Sequence, residues 1–349
     1  MGMRYRSLGR TGIVVSDFCL GTMMFGDWGN RDESECQRMV HTALDAGINF
    51  IDTADEYALG GSEEIVGRAI RGHRDDIVLA TKFHHQMREG HNHEGNSRRW
   101  IVTALEESLR RLGTDYIDLY QVHRPDPRTD IDETLGALSD LIHQGKVRAI
   151  GTSAFPAEQI VEAQWTSERR GRERFATEQL SYSILSRHAE TAVLPTTERY
   201  GLGVLVWSPL NGGWLTGKYR RDAAPASDSR AVRHPDHFDL GDDAIAARKL
   251  DLVEALSALA AQAGLSLLAL ALGFVLSHRG VTAAIIGART HDQLEQLLSA
   301  ADIDLDDGVL DRIDQLVAPG VNVNSQDVGW TPPALTDATL RRRVRPARA

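Results

Sequence analysis

Cysteine is scarce: the 349 residues include two, Cys19 and Cys36, in no metal-ligating spacing. That argues against a disulfide framework and a cysteine-ligated zinc, and predicts a reduced, cytoplasmic protein. Positive charge is also short. Thirty-nine lysines and arginines face 49 aspartates and glutamates, for a net charge of -10. No nucleic-acid partner is expected, because phosphate contacts need a clustered positive surface. Long apolar runs are missing too. The longest, Leu267–Leu276, is about half of what spans a bilayer, so no membrane partner is expected. The first ten residues hold no apolar signal core, and Arg6 stands where a myristoylation motif needs Ser or Thr. Nor does any G-x-G-x-x-G open a helix after a strand, which disfavours a doubly wound dinucleotide-binding sheet.

What is present is a steady alternation. Short β-branched runs end near Asp52, Lys82, His123, Ser153, Gln179, Trp207 and Gly287, and the run "VVSDFCLGTM" near the start adds another. Most are followed by an amphipathic segment. Cys36, Met39, Val40, Ala43 and Leu44 share one helical face, with Gly47 placed to end it. Ser97 is placed to cap a helix carrying Ile101, Ala104, Leu105, Ser108 and Leu112, and Ile131, Leu135, Leu138, Leu141 and Ile142 repeat the pattern.

Parallel strands joined by helices make either an open sheet or a closed barrel. Successive strands here finish in polar or functional residues, as expected when all the strand ends surround one mouth. The reading is therefore a (β/α)8 TIM barrel, a single domain over residues 1–335. The segment "RYRSLGRTGIVVS" is expected to form an N-terminal hairpin plugging the opposite end. Residues 336–349 read as a disordered basic tail. Two long polar loops, 84–97 and 211–246, are expected above the mouth, where they would set specificity.

Four of the residues at that mouth carry chemistry. A buried lysine such as Lys82, after "VLAT", is costly unless a carboxylate pairs with it, and Asp52 is the evident partner. From spacing alone, Asp52, Tyr57, Lys82 and His123 read either as a structural ion pair with a bystander phenol and imidazole, or as one site. As a site they make a proton donor. A phenol with a pKa of about 10 is a weak acid at neutral pH. A cation about 4 Å away favours phenolate by roughly 4 kcal/mol at an effective dielectric near 20. Lys82 is thus expected to lower the pKa of Tyr57, Asp52 to orient the ammonium, and His123 to hydrogen-bond a substrate oxygen.

These segments resemble the aldo-keto reductases. "GINFIDTADEYALGGSEEIVGRAI", "LATKF" and "LYQVHRPD" are similar to that family's motifs, and the likeness runs from "LGRTGIVVSDFCLGTMMFG" to "IIGARTHDQLEQL". The resemblance implies that Asp52, Tyr57, Lys82 and His123 are a catalytic tetrad with Tyr57 as general acid. It implies NADPH as cofactor and a small carbonyl compound, an aldehyde or ketone, as substrate.

The cofactor would lie across the mouth, beside Gly21, Thr22, Met23 and Asp52. Ser153 and Gln179 would hold the carboxamide, and Trp207 would stack on the nicotinamide. Ser208, Pro209, Leu210, Gly212, Lys218 and Arg230, together with Ile286, Gly287, Arg289 and Gln293, would cover the pyrophosphate and adenosine end. Ala154, Gln296 and Leu297 depart from the family pattern. The resemblance also admits a second role, a cofactor-binding sensor or potassium-channel β-subunit with little turnover, and a third, a dehydrogenase running toward oxidation.

His84, His85, His91 and His93 crowd one loop, yet no metal is expected there, since the carboxylate and cysteine context is poor and Tyr57 supplies the proton. His84, Met87 and Trp28 are expected near the substrate.

Overall fold

The structure, a computed structural model, describes residues 2–343 apart from 222, 228 and 234–242. The chain opens with a hairpin, β1 (Tyr5–Ser7) antiparallel to β2 (Val14–Ser16). The run "VVSDFCLGTM", expected as one strand, divides at Asp17. Its first part is β2, and its second part, β3 (Phe18–Gly21), enters the barrel. Asp17 is held at the break by Arg4 Nε at 3.0 Å.

Seven more strands follow: β4 (Phe50–Asp52), β5 (Val78–Phe83), β6 (Ile117–Val122), β7 (Val147–Ser153), β8 (Thr177–Ser181), β9 (Gly203–Trp207) and β10 (Ala283–Gly287). All pair in parallel with their neighbours, and β10 closes on β3 to complete an eight-stranded barrel. The crossovers carry α1 (Glu33–Asp45), α2 (Gly61–Ala69), α3 (Arg98–Leu112), α4 (Ile131–His143), α5 (Ala157–Arg170) and α6 (Val193–Tyr200). After β9 come α7 (Arg230–Arg233), α8 (Asp243–Gln262) and α9 (Leu267–Ser277). After β10 come α10 (His291–Leu298), α11 (Asp307–Leu316) and α12 (Pro333–Thr336).

The local chemistry explains the boundaries. Asp32 caps α1 by accepting from Glu35 N at 3.0 Å, Cys36, Met39, Val40 and Ala43 are buried, and the chain leaves through Gly47 at φ 92°. Ser97 caps α3 through Trp100 N. The apolar run at 267–276 is α9, buried on nearly every face. Its all-round hydrophobicity belongs to a core helix, and no single helix among the described residues is long and apolar enough to cross a membrane.

Strand side chains alternate, so each barrel strand sends every second residue inward. Cys19, Phe50, Ala80, Leu119, Ala149, Ala176, Leu205 and Ala283 form one inner layer, sealed from below by Leu8 and Val15 of the hairpin region. Gly9 makes that seal possible. At φ 56°, an added Cβ would lie 2.6 Å from Ala176 O and 2.7 Å from Gly203 N, at the starts of β8 and β9.

The loops 84–97 and 211–246 follow the opposite, C-terminal ends of β5 and β9. Residues 222, 228 and 234–242 of the second loop lie outside the described residues, as do 344–349 of the expected basic tail. The start of that tail is built into turns: residues 338–340 form a 3₁₀ turn, and the Arg341 guanidinium donates to Ala334 O and Leu335 O.

Candidate active site

Above the apolar layer, β4, β5, β6 and β8 place Asp52, Lys82, Gln121 and Gln179 inside the barrel. Lys82 is fully buried. Its ammonium donates to Asp52 Oδ2 at 2.5 Å, Thr53 O at 2.8 Å and Tyr57 Oη at 3.2 Å. Three acceptors match its three N–H bonds, which makes a buried cation tolerable. The other carboxylate oxygen, Asp52 Oδ1, accepts from Gln121 Nε2 at 3.0 Å and Gln179 Nε2 at 2.9 Å. Because that oxygen is an acceptor, both amide nitrogens must turn toward it, and this fixes the orientation of the two glutamines.

Tyr57 lies in a tight turn after β4, where Ala58 and Leu59 both adopt φ 51°. Left-handed backbone at two non-glycine residues stores on the order of 1–3 kcal/mol each, a pattern typical of functional loops. The phenol ring meets His123 edge-on at 5.9 Å and Trp28 at 6.0 Å. His123 follows directly after β6 and is buried. Burial, with Lys82 and Arg124 nearby, pushes its pKa well below the usual imidazole value, so the ring is neutral. Burial works against the Lys82 charge, but Asp52 and Tyr57 outweigh it and keep the ammonium protonated.

The rim of the mouth carries features that suit an anionic dinucleotide. Ser208, Asn211, Gly212, Gly213 and Gly217 all have positive φ, so the chain after β9 coils tightly, with Asn211 N, Gly213 N and Gly217 N donating to Ser208 O, Leu210 O and Trp214 O. Lys218 Nζ lies 5.1 Å from the Tyr219 ring centre, and Arg230 interacts with the same tyrosine. Arg230 Nε is buried with no hydrogen-bond partner among the described residues, the condition of a donor awaiting an acceptor. Ser153 and Gln179 lie side by side, since their strands pair in register there. Trp207 ends β9, its six-membered ring backed by Gly329, where a Cβ would sit 2.5 Å from Cζ2.

The Aldo/keto reductase family profile matches residues 17–318. The chain belongs to the aldo/keto reductase family. Relatives include the uncharacterized oxidoreductase YrpG of Bacillus subtilis, 40% identical over 90% of this chain and 96% of its own. A probable voltage-gated potassium channel subunit beta of Oryza sativa is 36% identical over 90% of this chain and 97% of its own. The L-glyceraldehyde 3-phosphate reductase of Escherichia coli is 30% identical over 91% and 93%. This chain is accordingly an oxidoreductase of a family that uses nicotinamide cofactors and small-molecule substrates.

Within this aldo/keto reductase, one expectation needs correcting. Lys82 does not bring the phenol below its ordinary value. Burial raises the Tyr57 pKa, Lys82 opposes the rise, and Asp52 cancels part of what Lys82 contributes. Tyr57 is a protonated phenol at neutral pH, held 3.2 Å from a cation.

Other expected contacts serve a local purpose. Thr22 Oγ1 donates to Asp52 O, tying β3 to β4. Gln293 Oε1 accepts from Arg289 N at 2.9 Å, folding the turn into α10. Sequence reasoning missed Gln121, Glu56 and Glu178. Gln121 could have been found from "LYQVH", because a residue two before His123 shares its face. Glu178 is fully buried, and burial pushes its pKa up to about 8. It accepts from Thr152 Oγ1 and Phe155 N, and so braces the turn in which Ala154 takes φ 57° beside Ser153.

Proposed function

We propose that this protein is an NADPH-dependent carbonyl reductase, converting aldehydes or ketones to alcohols at the barrel mouth. One observation carries the reading: a buried ammonium bridges Asp52 and Tyr57 at 2.5 and 3.2 Å. A bound reduced nicotinamide supplies a hydride for the carbonyl carbon. Tyr57 gives its phenolic proton to the carbonyl oxygen, and Lys82 stabilises the charge left on the phenolate. Asp52, anchored by Gln121 and Gln179, keeps Lys82 in place. His123, neutral at working pH, hydrogen-bonds the substrate oxygen without competing to protonate it. Trp207 offers a flat face for the nicotinamide, and Ser153 with the Gln179 carbonyl offers polar partners for its carboxamide.

The NADPH preference rests on charge. A protein of net charge -10 repels a 2′-phosphate unless cations are placed locally, and Arg289, Lys218 and Arg230 flank the rim. A charge-assisted bond contributes about 1.5–3 kcal/mol, roughly ten- to a hundredfold in affinity. Arg289→Ala is expected to weaken NADPH binding by about that factor and leave NADH nearly unchanged, as read by quenching of tryptophan fluorescence. Equal loss for both cofactors would assign Arg289 to the shared part of the dinucleotide.

The potassium-channel relatives support a second reading, a cofactor-binding β-subunit with little turnover. Loss of NADPH absorbance with a panel of aldehydes separates the two. Steady turnover supports the reductase, whereas tight NADPH binding without turnover supports the sensor.

A further inference from the structure

We propose that Glu56, His85 and His123 form a reversible binding site for one zinc-type divalent ion at the barrel mouth. The three side chains come from three different strand ends: the loop after β4, the loop after β5 and the end of β6. Glu56 Oε1 lies 3.4 Å from His123 Nδ1, and Glu56 Oε2 lies 3.4 Å from His85 Nδ1. One donor atom from each residue lies within 4.8 Å of the others. Bonds of about 2.0–2.1 Å to a tetrahedral zinc put neighbouring donors roughly 3.3–3.5 Å apart, and each imidazole already stands at that spacing from one of the two Glu56 carboxylate oxygens.

One of these nitrogens is also uncommitted. His123 Nδ1 is buried with no hydrogen-bond partner among the described residues, an arrangement that is costly unless something else satisfies it. Two nitrogens and one carboxylate oxygen, leaving positions for water, is a set that favours zinc-type ions over calcium or magnesium.

The framework is fixed before any ion arrives. His84 adopts φ 150° and is pinned by Nδ1 to Asn96 Oδ1 at 2.8 Å. The following His85 ring then stacks edge-on against His123 at 4.9 Å. Among the four loop histidines, His84 and His93 are turned elsewhere, His93 accepting from Arg88 Nε and meeting Trp100. Lys82 and Arg124 face the same space. Both cations repel a dication, which makes the site reversible rather than structural. If the reductase reading holds, zinc there immobilises His123 and competes with the carbonyl substrate.

The test reads binding without substrate, so it stands apart from the reductase reading. The purified protein is titrated with zinc against a chromophoric chelator at neutral pH, and with cobalt for its tetrahedral absorption bands. Wild type is expected to take up one equivalent at this site and to show those bands. Glu56→Gln and His85→Gln should each weaken binding by at least about tenfold. His93→Gln and His291→Gln, the latter in the exposed His291–Asp292–Glu295 cluster, should leave it unchanged. Absence of binding by wild type, undiminished binding in Glu56→Gln or His85→Gln, or loss in the His93 or His291 variant would overturn the proposal. With binding confirmed, zinc should raise KM for the aldehyde several-fold; an unchanged KM would remove the link to catalysis.

Discussion

Phe50 and Asp52 point to the same side of β4, as do Ala80 and Lys82 in β5, and Leu119 and Gln121 in β6. Each pair is one strand repeat apart, yet the lower members build a closed apolar layer and the upper members a charged, hydrogen-bonded one. The difference lies in what each layer tolerates. The floor holds by area and fit, so one hydrophobic residue can stand in for another of similar volume. Leu8, Val15 and the floor, all buried, close the upper layer off from beneath. Every polar atom there must find a partner in the protein, and charges act on one another through a low dielectric. The floor thus does more than stabilise: it makes the Asp52–Lys82–Tyr57 contacts strong.

Breaking the upper layer at its cation should have the largest effect. Lys82→Met fills the space but leaves Asp52 buried without its counter-charge, which costs about 3–5 kcal/mol. Denaturant unfolding should show the loss of stability, and reductase activity should disappear with it. Near-wild-type stability would mean that Asp52 takes up a proton or water instead, and the layer would then be less dry than the geometry indicates.

Leu119→Ala cuts the floor directly under Gln121. A cavity there is expected to cost about 2–5 kcal/mol, with kcat per folded molecule within a few-fold of wild type. A large fall in kcat at full folding would show that the floor positions the site as well as sealing it.

Tyr57→Phe reverses that pattern. It removes one hydroxyl, which accepts from Lys82 Nζ at 3.2 Å, so stability should change little while reduction falls at least about a hundredfold. The pH dependence follows from the direction of the shift. Because burial raises the Tyr57 pKa above its ordinary 10.0, loss of the proton donor should limit wild-type reduction only at pH above about 10. An alkaline limb near neutrality would point to a different acid.

These contrasts also mark what the sequence could reveal. Asp52, Lys82 and His123 were legible because a charged or imidazole side chain ending an apolar strand needs a reason to be there. The barrel was legible because strand ends repeated that pattern. The direction of the Tyr57 shift was not, since it sums burial, Lys82 and Asp52 over three dimensions, and no pairwise estimate contains the burial. Glu56 and His85 were illegible as neighbours, because nothing in a sequence sets the angle at which two loops meet. The division of "VVSDFCLGTM" at Asp17 was hidden for a similar reason: it depends on Arg4, just before β1, reaching Asp17 Oδ2.

The smallest effect should come from Gln121, which stands one repeat above Leu119 and could belong to either layer. Its Nε2 donates to Asp52 Oδ1 and its Oε1 accepts from Gln179 Nε2 at 3.2 Å. Gln121→Met keeps the volume and flexibility while removing both bonds. Asp52 Oδ1 retains the Gln179 amide at 2.9 Å, so no buried carboxylate oxygen is stranded, and the loss should be that of one charge-assisted bond, about 1.5–3 kcal/mol at most. Activity should fall less than it does in Tyr57→Phe, since Lys82 keeps its three acceptors. Combining Gln121→Met with Gln179→Met decides how the upper layer is built. If the two losses add within about 0.5 kcal/mol, the glutamines support Asp52 independently. A larger combined loss would mean that either amide alone suffices to hold Asp52 and that stripping both frees it to turn away from Lys82. In that case the polar layer behaves as one unit, whereas the floor beneath it remains a sum of separate contacts.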